Sequence, residues 1–195
     1  MDRLMDEVLV GLCLNGDREA FAEIVRRYQK QIYSLTFRLT NDSMDAQDLA
    51  QEVFLHLYQV LEKFDGSRKF FSWMYKVATN YCYTALRKKA PNEISLEKII
   101  DFTPLRPGDH GQPEDQCEVK ETQMLVREAI SQLPEKYRIP LVLRYLEEFS
   151  YRQISDAMDV PVTTVETRLY RGKALLQKKL AIVLERGGQN EMSGN

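Results

Sequence analysis

The strongest constraint on this 195-residue chain is a break in its periodicity. Between Ala90 and Cys117, Pro91, Pro104, Pro107, Gly108, Gly111 and Pro113 are set among Glu93, Glu97, Asp101, Asp109, Glu114 and Asp115. Prolines remove backbone donors and clustered like charges repel, so a segment of this kind stays extended and buries no core. A short helical turn over Ile94, Leu96, Ile99 and Ile100 is the most it can form. The fold must therefore be built on either side of it. The expected organisation is all-α, with two small helical domains over residues 1–89 and 118–184, an acidic flexible linker over 90–117 and a flexible tail over 185–195.

Before the break, Asp17 can cap a helix whose Phe21, Ile24, Val25, Tyr28, Ile32 and Leu35 fall on one stripe. Ser43 can cap a second, with Leu49, Val53, Phe54, Leu57, Tyr58 and Leu61 inward, ending before the turn Asp65-Gly66-Ser67. A third begins near Lys69, turns Phe70, Trp73, Met74, Val77 and Tyr81 inward, and ends in the basic run Arg87-Lys88-Lys89. After the break, Leu125, Val126, Ala129, Ile130 and Leu133 share a face. Pro134 suits the first turn of the next helix, with Ile139, Leu141, Val142 and Tyr145 inward. Pro140 lies inside that helix and predicts a late start or a bend.

Composition excludes several classes. With 44% hydrophobic and 29% charged residues the chain is of ordinary globular type. No apolar run approaches a membrane span, and the acidic start Met1-Asp2-Arg3 does not resemble a secretory leader. Cys13, Cys82 and Cys117 are odd in number and lack a C-x-x-C spacing, which argues against a disulfide framework or a zinc site and fits a reducing cytoplasm. The two histidines, His56 and His110, have no partner at catalytic spacing and no glycine-rich phosphate loop accompanies them, so neither catalytic residues nor a metal or cofactor are expected.

The sharpest signal lies between Ser150 and Leu180. Ser150 caps a short helix with Ile154 and Met158 inward, Asp159-Val160-Pro161 turns the chain, and Thr163 or Thr164 caps a longer helix with Val165, Leu169 and Leu176 inward. Two helices joined by so tight a turn predict a helix-turn-helix, although the usual glycine of the turn is absent. The outward face of the second helix carries Thr167, Arg168, Tyr170, Arg171 and Lys173, followed by Lys178 and Lys179. Arginine offers paired donors to guanine edges or phosphates, threonine and tyrosine add hydrogen bonds, and the free amides at the helix start, around Thr163 and Thr164, can meet a phosphate. A solvated basic face is the competing reading. The net charge of −2 does not exclude DNA, because attraction to phosphate depends on local patches and not on the sum.

These motifs resemble those of one family. The run from Leu133-Pro134-Glu135-Lys136-Tyr137-Arg138 to Gln153-Ile154, with Val160-Pro161-Val162-Thr163-Thr164-Val165 through Gly172-Lys173, resembles the fourth region of extracytoplasmic-function sigma factors, group 4 of the sigma-70 family. Gly16-Asp17-Arg18-Glu19-Ala20-Phe21, Asp45 to Phe54, and Phe70-Phe71-Ser72-Trp73 through Asn80 resemble the second region. The resemblance covers nearly everything outside the linker and tail. It implies a cytoplasmic promoter-reading subunit, which binds core RNA polymerase through the clamp helices of its largest subunit and its flap, and which an anti-sigma factor restrains, in some cases at the membrane.

The resemblance also assigns residues. Asp45, Asp48, Gln51 and Glu52 match the face that grips the clamp helices; a solvated face and a metal site are the alternatives, and no histidine completes the latter. Phe64, Asp65, Gly66, Ser67, Arg68 and Asn80 match the pocket that captures an unstacked base of the minus-ten element, with Lys76, Arg87, Lys88 and Lys89 placed to hold phosphates. An ordinary turn at Asp65-Gly66 and a satisfied polar Asn80 are the bland alternatives, and Trp73 is expected in the core. Thr167, Arg168, Tyr170 and Arg171 match the readers of the minus-thirty-five element. Glu166 departs from the pattern, which usually has a basic residue there, so promoter sequence does not carry over from relatives. An effector-sensing DNA-binding regulator is the main rival. It would footprint DNA alone, whereas a sigma-like chain needs core polymerase.

Overall fold

A computed structural model describes residues 4–89 and 116–191, and the side chains of residues 4–89 and 122–181. Every regular element among them is helical: α1 (Asp6–Leu14), α2 (Arg18–Thr40), α3 (Ser43–Gln59), a single 3₁₀ turn (Leu61–Lys63), α4 (Phe70–Lys89), α5 (Gln116–Ser131), α6 (Glu135–Tyr145), α7 (Tyr151–Met158) and α8 (Val162–Glu191). The all-α expectation holds. The acidic linker, its turn at Ile94 to Ile100 and His110 lie outside the described residues. The helix expected from Glu118 starts at Gln116, and α8 continues through the first part of the expected tail to Glu191.

Local chemistry explains most boundaries. The Asp17 carboxylate accepts from the amides of Glu19 (2.9 Å) and Ala20 (3.3 Å), as a cap should. At α3 the expected cap is displaced by one residue: Asp42, not Ser43, accepts from Met44 and Asp45, both at 2.8 Å. Asn41 closes α2 in the left-handed region at φ 58°, a conformation asparagine tolerates. Ser150 and Gln153 form a reciprocal capping box at α7. Neither Thr163 nor Thr164 caps α8, which starts at Val162; the Pro161 carbonyl accepts from Thr164 (2.9 Å) and Val165 (3.2 Å). Pro134 likewise precedes α6, and Pro140 lies within it without delaying its start.

In the first half α1 to α4 enclose Leu9, Ile24, Leu35, Val53, Leu57 and Phe70, all essentially buried. Arg27 ties α2 to α1, donating to Asp6 (2.8 Å), the Leu4 carbonyl (2.8 Å) and Glu23 (3.0 Å). Tyr28 also donates to Asp6, and burial with that carboxylate pushes its hydroxyl pKa well up. Several expected inward residues are not fully buried: Phe21, Val25, Tyr28, Val77, Tyr81, Leu125, Val126 and Leu176 are half-buried, and three aromatics lie at the rim of the core. Tyr58 is 50% exposed and stacks edge-on against Phe21 at 4.8 Å, Tyr145 is 49% exposed, and Trp73 is half-buried against Phe64 and Phe70. The core position on α4 is taken by Tyr75, at 2% exposure.

The two halves touch. Arg38 on α2 donates to Glu147 (2.6 Å) and to the Leu146 carbonyl, and the Tyr75 hydroxyl donates to the same carboxylate at 3.2 Å. Tyr75 also meets Phe149, with centroids 5.1 Å apart. Arg138 on α6 donates to the Leu39 carbonyl (2.7 Å) at the end of α2, where a cation complements the exposed carbonyls.

Gly172 sets the approach of α6 to α8. A Cβ there would lie 3.0 Å from Leu141 Cδ1, 3.3 Å from Leu141 Cγ and 3.4 Å from Tyr137 Cβ. We therefore expect Gly172→Val to wedge the two helices apart and to destabilise the second half by about 1–3 kcal/mol, the usual range for overpacking. A chemical denaturation midpoint unchanged from wild type would contradict this.

Candidate nucleic-acid interface

The helix-turn-helix is α7, the turn Asp159-Val160-Pro161 and α8. Asp159, at φ 55°, occupies the left-handed position that glycine usually fills, so an aspartate makes the turn without it. Val165 (0%), Leu169 (3%) and Leu175 (7%) hold α8 against the domain. Its opposite face is therefore turned out. Thr163, Thr167, Tyr170, Arg171 and Lys173 are exposed there, Thr164 and Arg168 are half-buried at its edge, and Glu166 is exposed among them. Thr163, Thr164, Thr167, Arg168 and Arg171 come together along a hollow of about 320 Å³. Lys173 lies apart, its ammonium 5.0 Å from the Tyr145 ring centroid.

The residues expected to act on a single strand are less compact. Asp65 accepts from the Ser67 amide (3.0 Å) and hydroxyl (2.8 Å) and lies 3.8 Å from Arg68, so Asp65, Ser67 and Arg68 form one ordered turn beside Gly66. Phe64 packs edge-on to Phe70 at 5.6 Å and meets Trp73 at 5.3 Å, which forms an aromatic floor behind the turn. Lys76 and Asn80 lie farther along α4. Arg87 and Lys88 lie at its far end, separated from Phe70 by a rise of about 25 Å. The basic residues of the set thus form a track along α4 that runs away from the turn. Lys76 is engaged elsewhere, in an ion pair with Asp159 at 2.9 Å.

On α3, Asp45, Asp48, Gln51 and Glu52 are all exposed. Lys89 pairs with Asp45 at 2.9 Å, and the Tyr81 hydroxyl approaches Glu52 at 3.5 Å. The stripe continues into Leu55, 65% exposed, and Tyr58. An acidic stripe with an apolar end repels a phosphate backbone and has the charge to pair with a basic surface. Sequence reasoning missed Lys136 and Tyr137 of α6, which line the hollow beside α8. Their place follows from the close approach at Gly172, and a lone glycine inside a helical pattern was its one visible trace.

Both halves match known family models, sigma-70 region 2 over residues 24–91 and sigma-70 region 4 over residues 123–176. The chain is 36% identical over 170 residues to the ECF RNA polymerase sigma factor SigW of Bacillus subtilis, covering 85% of this chain and 91% of that one. It belongs to the ECF sigma factors. A further relative of this sigma factor is the RNA polymerase sigma-H factor of Pseudomonas aeruginosa, 34% identical over 188 residues, with 92% of this chain and 95% of that one covered. Among solved structures it resembles CnrH in complex with the cytosolic domain of CnrY, with a TM-score of 0.60, 18% identity, and 93% and 97% of the two chains covered; that likeness speaks for the fold. As a sigma factor the chain serves promoter recognition in transcription initiation and is not itself an enzyme.

The turn at Asp65 in this sigma factor carries a pH signature. Hydrogen bonds from Ser67 to its charged form, helped by Arg68, hold the Asp65 carboxyl below the usual carboxylate range. A lowered folded-state value means that the turn's contribution is present at neutral pH and lost only as pH falls through that lowered value. A carbonyl-carbon NMR titration should place the Asp65 midpoint below that of an unstructured aspartate, and Ser67→Ala should move it back up. A midpoint at the unstructured value in the wild-type chain would show that the turn does not form in solution.

Proposed function

We propose that residues 1–89 and 118–184 act as separate lobes joined by the linker 90–117, and that each lobe handles one promoter element once core RNA polymerase holds them both. In this reading α8 lies in the major groove of the minus-thirty-five element with Thr167, Arg168, Tyr170 and Arg171 toward base edges. Thr163, Thr164 and Lys173 meet the backbone. Asp65, Gly66, Ser67, Arg68 and Asn80 take an extruded minus-ten base against Phe64, while Lys76, Arg87 and Lys88 track the phosphates of the strand. Asp45, Asp48, Gln51 and Glu52 meet the clamp helices. The observation that carries the reading is charge segregation on one small chain: an exposed acidic stripe on α3, and basic faces on α8 and at the end of α4.

Each lobe alone offers few contacts, so binding is weak until the polymerase converts two loose grips into one. Glu166 stands among the base-facing residues and suits a cytosine amino group better than a phosphate. We further propose that an anti-sigma factor covers the same surfaces; CnrH, similar in fold, was solved with the cytosolic domain of CnrY. No helix among the described residues is long and apolar enough to cross a membrane. The work assigned here is cytoplasmic, and any membrane tether would come from the partner.

Transcription by purified core polymerase on a randomised promoter library, with and without this chain, tests the proposal. Enrichment of paired upstream and downstream elements is the expected outcome, and no enrichment would refute it. Arg171→Ala should cost about 1–3 kcal/mol of upstream-element binding, the worth of a bidentate base contact, and leave core association intact. Charge reversal of Asp48 and Glu52 to lysine should do the opposite, abolishing capture by core polymerase in a pull-down while the thermal melting curve stays unchanged. Normal capture by that double variant would remove the clamp assignment.

A further inference from the structure

We propose that Lys136 is a DNA-backbone anchor for the recognition helix, an ammonium supplied by a neighbouring helix that holds a phosphate beside the bases and takes no part in choosing among them. The inference rests on the reading of α8 as the major-groove helix. Lys136 stands in the first turn of α6. It nevertheless opens onto the same hollow as Arg168 and Arg171 of α8. Three cations from two helices repel one another there, and neither arginine forms an ion pair among the described residues. The Glu135 carboxylate beside Lys136 is 4% exposed and turned inward, and its charge is felt by Arg138. Positive charge gathered around a concave surface concentrates an anion.

Geometry decides which anion. An α-helix with its side chains is about 10–12 Å across and the major groove is about 12 Å wide, so α8 fills the groove. A side chain reaching in from a second helix at its flank meets the groove wall, which is sugar and phosphate. Lys136 is held at that flank. Its ammonium lies 5.3 Å from the Tyr137 ring centroid, Tyr137 is 4% exposed, and the Tyr137 Cβ would be 3.4 Å from a Cβ at position 172 of α8. At the other end of α6, Lys173 rests on Tyr145 in the same manner. The recognition helix is thus bracketed by two lysine–tyrosine pairs, one at each end of the helix beneath it.

The test uses holoenzyme reconstituted from the full chain and purified core polymerase, with two probes: the promoter selected by the wild type from the randomised library, and a random-sequence duplex of equal length. Lys136→Met keeps the aliphatic stem against Tyr137 and removes the charge. It should weaken binding to both probes by the same factor, about 3- to 10-fold, and should flatten the slope of log affinity against log salt by about 0.9, one phosphate contact. Lys136→Arg should restore both quantities, and Lys136→Gln repeats the measurement should the methionine variant not fold. An unchanged salt slope, or a loss confined to the selected promoter, would overturn the proposal. If Arg171→Ala keeps full base preference while Lys136→Met still flattens the slope, the base-reading assignment fails and the anchor stands. A flat response to Lys136→Met beside lost preference in Arg171→Ala sinks the anchor alone.

Discussion

The face that α8 turns outward is set by the face it buries. Val165, Leu169 and Leu175 fix its rotation, and Gly172 fixes its depth by letting Leu141 and Tyr137 approach its backbone. A helix held at a different depth would carry the same arginines to the wrong distance from a groove wall, and one rotated by a single residue, about 100°, would turn them aside. The hollow beside α8, the cations that line it and the aromatic support under Lys173 all follow from that one close crossing. On the proposed reading of α8, specificity is a packing property before it is a hydrogen-bonding one.

Charge provides the second constraint. A net charge of −2 describes no part of the surface well, because α3 exposes a run of carboxylates while α8 and the end of α4 expose clusters of cations. The stripe on α3 would repel a phosphate backbone, and the arginines of α8 would repel a basic partner, so each surface rejects the ligand of the other. Where the α3 stripe meets the basic end of α4, at Lys89 and Asp45, the pair is exposed on both sides and of the class worth about 0–1 kcal/mol. Such pairs position side chains at little cost to their exchange for a stronger partner.

Much of this was readable from residue order because it depends on neighbours in sequence. Asp17 and Ser150 cap the helices they precede, Val165 and Leu169 face inward as their spacing requires although Leu175 is buried where Leu176 was expected, and the break after Lys89 separates two helical regions. The failures share a cause. Asp42 outcompeted Ser43 as a cap because either side chain could reach the orphan amides and only the backbone angle decides between them. Tyr58, Trp73 and Tyr145 satisfied the apolar pattern yet lie at the rim, since an aromatic with a polar edge is equally suited to a half-wet site. Lys136, Tyr75, Arg38 and Glu147 could not be singled out at all. Their roles depend on contacts across tens of residues, and no periodicity encodes which exposed cation will face which helix. Of the candidate site, the helix and its outward residues were legible; the hollow and the residues that α6 adds to it were not.

The contacts between the halves bear on how two lobes can serve one promoter. Lys76, expected on a strand phosphate, is bound to Asp159 in the turn of the helix-turn-helix, and both groups are solvent-accessible. Exchanging an exposed carboxylate for a phosphate costs little, because both states retain one charge-assisted hydrogen bond to the ammonium. The buried side of the interface is different: parting the lobes uncovers the edge of Tyr75 that faces Phe149 and takes Glu147 from both Arg38 and Tyr75. The arrangement of the halves therefore rests on this polar seam, on the Arg138 hydrogen bond to the Leu39 carbonyl and on a buried core that continues from one half into the other, while the exposed Lys76–Asp159 pair adds little. Parting the halves would thus expose apolar surface that α2 and α4 share with α6 and α7, a cost well above that of exchanging the exposed ion pair.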